Sequence, residues 1–191
     1  MQGAFIQALT YRPPAILGRQ LLPFSPWHGI VLEGAGSPYI IGGKPDFDDV
    51  VTAVWVCSHS FTHGWEGTLD LVAAKKWGKA NRKHRAQFPA AAAAFNEHIL
   101  ASFVGPEYWP AEGGSSVKAP YWWHMATFGM STLHLPYADA WDCSIARLMC
   151  HFACKSETEG GKGLMSTDDI NGIEVLRADV AKEKAAKKGV A

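Results

Sequence analysis

The sequence predicts an all-α protein: a single compact helical domain of about six to seven helices, with an irregular N-terminal segment. Three observations predict it. Apolar residues recur at helical spacing in several segments. Helix-start residues stand just before those segments. No stretch sustains the apolar–polar alternation of a half-buried strand. Residues 1–163 are expected to form the domain and its N-terminal arm, and residues 164–191 a C-terminal amphipathic helix.

Residues 1–23 read as irregular, because Pro13, Pro14 and Pro23 interrupt any helix there. The first 45 residues can still hold a short hairpin. Ser25-Pro26 is a helix start, with Ser as N-cap and Pro at the first helical position. That helix, Pro26–Glu33, ends at Gly34-Ala35-Gly36. Asp46 is the next N-cap, and Asp48 and Asp49 put acids in the first turn. Phe47, Val50, Val51, Val54 and Trp55 then share one face, against the counter-signal of β-branched residues across Val50–Val56.

A third helix is expected over Trp65–Lys83, with Trp65, Leu69, Val72 and Ala73 inward, although Gly67 and Gly78 weaken it. The alanine-rich fourth runs from Pro89 to Phe103. Gly105–Pro120 reads as a long loop and Tyr121–Leu133 as a fifth helix. The sixth is Pro136–Lys155. Trp141, Ile145, Leu148, Met149 and Phe152 form its apolar stripe, and Cys143, Cys150 and Cys154 a second one. Its apolar stripe predicts packing against the Asp46–Cys57 helix through Val50, Val54, Trp55, Trp141, Leu148 and Phe152. After a connector at Glu159–Gly163, Ser166-Thr167-Asp168-Asp169 reads as a capping-box start. Ile170, Ile173, Leu176 and Val180 stripe the helix that follows.

Composition limits the functional classes. A hydrophobic content of 48% in 191 residues excludes wholesale disorder and allows one sizeable core. The zero net charge gives no overall electrostatic reason for a nucleic-acid or membrane partner. No apolar run approaches the ~18 residues of a membrane-spanning helix. The N-terminus lacks the basic start and apolar block of a signal peptide. Cys57, Cys143, Cys150 and Cys154 are too few for a disulfide scaffold and read as reduced, structural thiols.

Catalytic signatures do not assemble. Ser58-His59 and His63 have no nucleophile elbow, Gly42-Gly43-Lys44 lacks the rest of a phosphate loop, and Asp48/Asp49 and Asp168/Asp169 are helix starts. The expectation is a protein that is not an enzyme and carries no cofactor. Cys57, His59 and His63, with Cys150, His151 or Cys154, could supply four zinc ligands. A buried cysteine beside helix-end histidines explains the same residues and is the favoured reading, with a zinc-binding regulator as an alternative.

Lys75, Lys76, Lys79, Arg82, Lys83 and Arg85 place six of the 18 basic residues within eleven positions. The favoured reading is a solvated helix face; were a partner held there, an acidic protein is expected before nucleic acid. Glu107-Tyr108-Trp109-Pro110 and Tyr121-Trp122-Trp123 flank the long loop as either core plugs or interface anchors. Adjacent Trp122 and Trp123 cannot both point inward from one helix face.

Two blocks carry a resemblance. One is Arg12–His28, followed by Gly36-Ser37-Pro38-Tyr39 and the Val50–Cys57 helix; the other is Tyr137–Glu157, with Ala140-Trp141-Asp142 leading in and Cys154-Lys155-Ser156-Glu157 closing it. This layout is similar to small helical proteins of bacteriophage tail modules, some of which are tail assembly chaperones. The resemblance implies a non-enzymatic protein of the host cell cytoplasm that binds the tape-measure or tail-tube protein. It also allows self-association, and it has a structural component of the virion (tail or connector) as its alternative. A helper for a long helical chain needs apolar, aromatic and Met-rich surface. The expected partner-binding residues are therefore Tyr121, Trp122, Trp123, Met125, Met130, Ile170, Ile173 and Leu176. Such families also imply a programmed frameshift near the end of the frame. Ala186-Lys187-Lys188 can be encoded GCA AAA AAG, which contains the slippery heptamer A AAA AAG.

Overall fold

A computed structural model describes residues 2–62, 70–106, 119–160 and 163–188. Helices dominate, as the 3.6-residue spacing predicts. The N-terminal arm is not irregular throughout: Gln2–Thr10 forms helix α1, which packs along a helix far downstream, α9 (Ile145–Thr158). The chain then makes a small antiparallel hairpin, β1 (Ala15–Ile16) and β2 (Arg19–Gln20), with Ala15 opposite Gln20 and Ile16 opposite Arg19. Leu17 and Gly18 both have positive φ, the backbone of a two-residue type I′ turn.

Helix α2 (Pro26–Gly34) starts at Ser25 in a capping box with His28, whose ring replaces the usual Glu or Gln. A short turn, α3 (Pro38–Ile41), follows. Helix α4 (Phe47–Cys57) starts where its sequence says: Asp46 accepts from the Asp49 amide at 2.9 Å, and Asp49 accepts from the Asp46 amide at 2.8 Å. Phe47, Val50, Val51, Ala53, Val54, Trp55, Val56 and Cys57 are all buried. A helix apolar on nearly every side belongs at the centre of a core, and α4 is covered by α2, α5 (Leu71–Asn81) and α6 (Phe88–Ser102).

Asp70 caps α5, so this helix begins later than expected; Trp65, Gly67 and Leu69 lie outside the described residues. Val72 faces solvent at 78% exposure rather than the core. The chain then tightens into a 3₁₀ segment, Arg82–Gln87, with a non-helical His84, and Pro89 sits in the first turn of α6. Helix α7 (Tyr121–Thr132) crosses α2, and α8 (Tyr137–Asp142) packs on both.

The expected single helix over Pro136–Lys155 is two. It breaks at Cys143-Ser144, where Ser144 has extended backbone and its hydroxyl accepts from the Arg147 amide. The amide freed at Ile145 donates to the Phe24 carbonyl at 2.9 Å. The break divides the apolar stripe. Ile145 and Leu148 join the same core as Val50 and Val54, whereas Phe152 is half exposed. The segment does not pack mainly on α4 as the two stripes predict, because α2, α5 and α6 already cover that helix. Trp141 packs instead with Phe61, Trp123 and Tyr137. The last helix, α10 (Thr167–Lys188), has the predicted cap: Ser166 Oγ and the Asp169 carboxylate exchange bonds with each other's amides at 3.1 and 2.8 Å.

Trp141 is 3% exposed, so Trp141→Ala is expected to cost about 3–5 kcal/mol. The readout is a lower urea midpoint at unchanged slope. Its indole N–H has no partner among the described residues, so Trp141→Phe should cost clearly less.

Candidate partner-binding surface

Helix α7 divides its side chains three ways. Trp122, Ala126 and Gly129 face the core, Trp123 points to the α8 side, and Tyr121, His124 and Met125 face α9. What selects Trp122 for the core is Gly29 on α2. A Cβ there would overlap the Trp122 indole ring, so only glycine lets the ring lie on the α2 backbone. The Trp122 N–H then donates to Glu33 Oε2 at 2.6 Å, and Phe24 and Phe103 meet the ring in edge-on contacts. Trp122 is 5% exposed and is a core residue, not surface for a partner. Trp123, 43% exposed, stands with one edge on Trp141, their centroids 4.9 Å apart.

Between α7 and α9 runs an apolar cleft of about 410 Å³. Tyr121, His124 and Met125 line one wall, Met149 and Phe152 the other, and Pro106 and Ala119 an end. Phe128 meets Phe152 edge-on, their centroids 5.4 Å apart. Gly105 lets the chain pass over Met149, since a Cβ would sit 2.8 Å from the methionine methyl. Met125 is buried but lines the cleft, Tyr121 is exposed on its rim, and Met130 is half-buried and not part of it. Met149 and Phe152 complete the cleft but are absent from the expected partner-binding set. The sequence signal for them was their place on the α9 stripe, which read as core.

On α10, Ile170 and Ile173 are partly covered, while Val175, Leu176 and Val180 are exposed. The cleft and this stripe are separate features; Glu107-Tyr108-Trp109-Pro110 lie outside the described residues.

The polar candidates have structural partners. Ser58 Oγ donates to the Trp55 carbonyl at 2.8 Å, and His59 Nδ1 lies 2.7 Å from the same oxygen, so both finish α4. Cys57 is fully buried, and burial pushes its thiol pKa well up. The same cause raises Cys143 and Cys150. Cys154 is exposed, and all four cysteines are free. His63 lies outside the described residues. Among the described residues no three His, Cys, Asp or Glu side chains come together to hold a metal ion, so Cys57 and His59 are not joined to Cys150 and Cys154.

Two histidines that sequence reasoning left aside are deeply buried. His28 Nε2 donates to the His59 carbonyl at 2.8 Å, and its Nδ1 accepts from the Ser25 amide at 3.1 Å. His98 Nδ1 accepts from the Tyr11 hydroxyl at 2.9 Å, while its Nε2 is buried with no partner among the described residues. Both rings pack against Phe24. Burial lowers each pKa to about 4; for His98 the nearby His28 adds to this.

No protein-family model matches the chain, and comparisons with curated proteins and with solved structures give no match either. No helix among the described residues is long and apolar enough to cross a membrane.

Proposed function

We propose that this chain is a non-enzymatic phage protein that acts in tail assembly by holding an apolar helical face of the tape-measure or tail-tube protein. The observation that carries the reading is the cleft between α7 and α9. Its walls are aromatic and methionine side chains, which adapt to varied apolar partners. Its shape suits a helix laid in a groove by residues spaced one turn apart. The resemblance to tail-module proteins supplies the identity of the partner, and the exposed α10 stripe offers further apolar surface.

The test is co-purification with a co-expressed phage tape-measure protein. Tyr121→Glu and Phe152→Glu place charges on the cleft rim, where both side chains are already exposed. The double variant is expected to lose at least ten-fold in retained partner with little change in melting temperature. Trp122 is unsuitable for this test, because its replacement disturbs the core. Unchanged retention with an intact fold would sink the cleft as the binding site. Finding the chain in purified particles by mass spectrometry would favour the virion reading.

A further inference from the structure

We propose that the basic stripe of α5 and the 3₁₀ segment is a docking surface for the phosphate backbone of a nucleic acid. Lys75, Lys76, Lys79, Arg82 and Lys83 fall at i, i+1, i+4, i+7 and i+8, which is one helical face, and Arg85 extends it. The opposite face belongs to the core: Trp77 packs on Trp55, Gly78 faces Val51, and Asn81 is buried. That packing turns the cations outward, and all six are exposed, although Arg85, past the non-helical His84, also reaches over the Phe47 ring with its guanidinium carbon 6.0 Å from the ring centre.

The stripe is also free of compensation. No Asp or Glu occurs from residue 71 to residue 96. None of the six cations forms an ion pair among the described residues. The remainder of the chain holds 12 basic and 18 acidic residues, so a chain of zero net charge is divided into a cationic face and an acidic body. The net negative charge of the rest of the chain favours approach of a polyanion by way of the stripe.

The sequence alone favours an acidic protein as the partner of this cluster. The structure favours phosphates. Protein interfaces are built around buried aromatic anchors and are depleted in Lys. This face offers four Lys, two Arg and the single small apolar Val72, while Trp77 is turned inward onto Trp55. Backbone binding needs cations alone. From Lys75 to Arg85 the stripe covers roughly 15 Å, a length along which duplex DNA presents a charge every ~1.7 Å. Five or six contacts can therefore form together, without base readout.

The test is titration of a short labelled DNA duplex by fluorescence anisotropy across a series of salt concentrations, using the full chain. Saturable binding at low salt is expected, with log affinity falling against log salt at a slope of about −4 to −5. Lys75→Glu/Lys79→Glu/Lys83→Glu should flatten the slope by about 3 and lower low-salt affinity at least ten-fold. Its melting temperature should be unchanged, since the three side chains are exposed. Lys44→Glu, an exposed cation off the stripe, should leave the slope nearly as it was. No binding at low salt, or equal binding by the triple variant, overturns the proposal. Binding to poly-glutamate without binding to the duplex also overturns it, in favour of an acidic protein.

Discussion

Gly29→Ala is expected to destabilise the protein by several kcal/mol, against the usual direction of the change. In an open helix interior, Gly to Ala gains roughly 1 kcal/mol from backbone entropy and propensity. At Gly29 the added methyl would overlap the Trp122 indole ring. The ring has little room to retreat. It is buried among Phe24 and Phe103, and its N–H is held by Glu33. Either the α2–α7 crossing opens or the ring leaves its pocket. Overpacking of this kind costs about 1–3 kcal/mol and more where nothing yields, and the Glu33 bond and edge contacts are lost besides. Gly34→Ala on the same helix is the control: nothing lies within 4 Å of its Cβ position. Denaturant unfolding of the two variants should give shifts of different size and sign. Equal, small shifts would mean that the crossing is not set by Gly29.

Acid should begin to destabilise the protein at about pH 6.5, above the range where its carboxylates titrate. In an unfolded chain His28 and His98 take up protons near the ordinary value of 6.5, whereas in the folded protein they stay neutral down to about 4. A depressed histidine pKa favours the unfolded state as pH falls. Above pH 6.5 both states hold neutral rings and the two residues impose no penalty. Between 6.5 and 4 the unfolded state alone binds protons and stability declines; below 4 the loss levels off. At about 1.4 kcal/mol per pH unit, each ring costs about 3 kcal/mol over that window. Two such rings rival the 5–15 kcal/mol that holds an ordinary domain together. Urea midpoints measured from pH 7.5 to pH 5 should fall with a slope of up to two protons. In His98→Gln the slope should drop to one. A flat profile over that range would show that these rings do not resist protonation.

The parts of the fold legible in the sequence are those fixed by neighbours a few residues away. Asp46 and Asp49 cap α4, and Ser166 and Asp169 cap α10, through bonds spanning three residues. The α4 apolar spacing likewise names Phe47, Val50, Val51, Val54 and Trp55 as buried, but not Ala53, Val56 and Cys57, which are covered because elements from elsewhere in the chain surround the helix. The break between α8 and α9 could not be seen that way, because the apolar period runs straight through Cys143 and Ser144. What stabilises the break is a bond from Ile145 to Phe24, across most of the chain. Helix α1 has no charged or capping signal and is held by α9.

The surface was legible in the same partial way. The sequence requires that Trp122 and Trp123 part company, but which of them goes inside depends on Gly29 and Glu33. The cleft draws on α7 and α9 together, so half of its wall was hidden in a stripe that looked like ordinary core. His98 gave no signal at all, since a lone histidine in an alanine-rich helix reads the same whether its ring is wet or dry.

The extended stretch around Phe24 also sets an order of events during synthesis. The Leu22 amide donates to the Cys57 carbonyl at 2.8 Å, and the Phe24 carbonyl accepts from Ile145. The first bond can close early, while the ribosome is still adding α5. The second waits until three-quarters of the chain has been made. Until then Phe24 lacks its bond to α9, and before α7 is made it also lacks Trp122, so the unfinished chain presents sticky aromatic surface to its surroundings. A nascent chain stalled before Ile145 would therefore be a substrate for cellular chaperones and proteases, whatever the strength of its finished core.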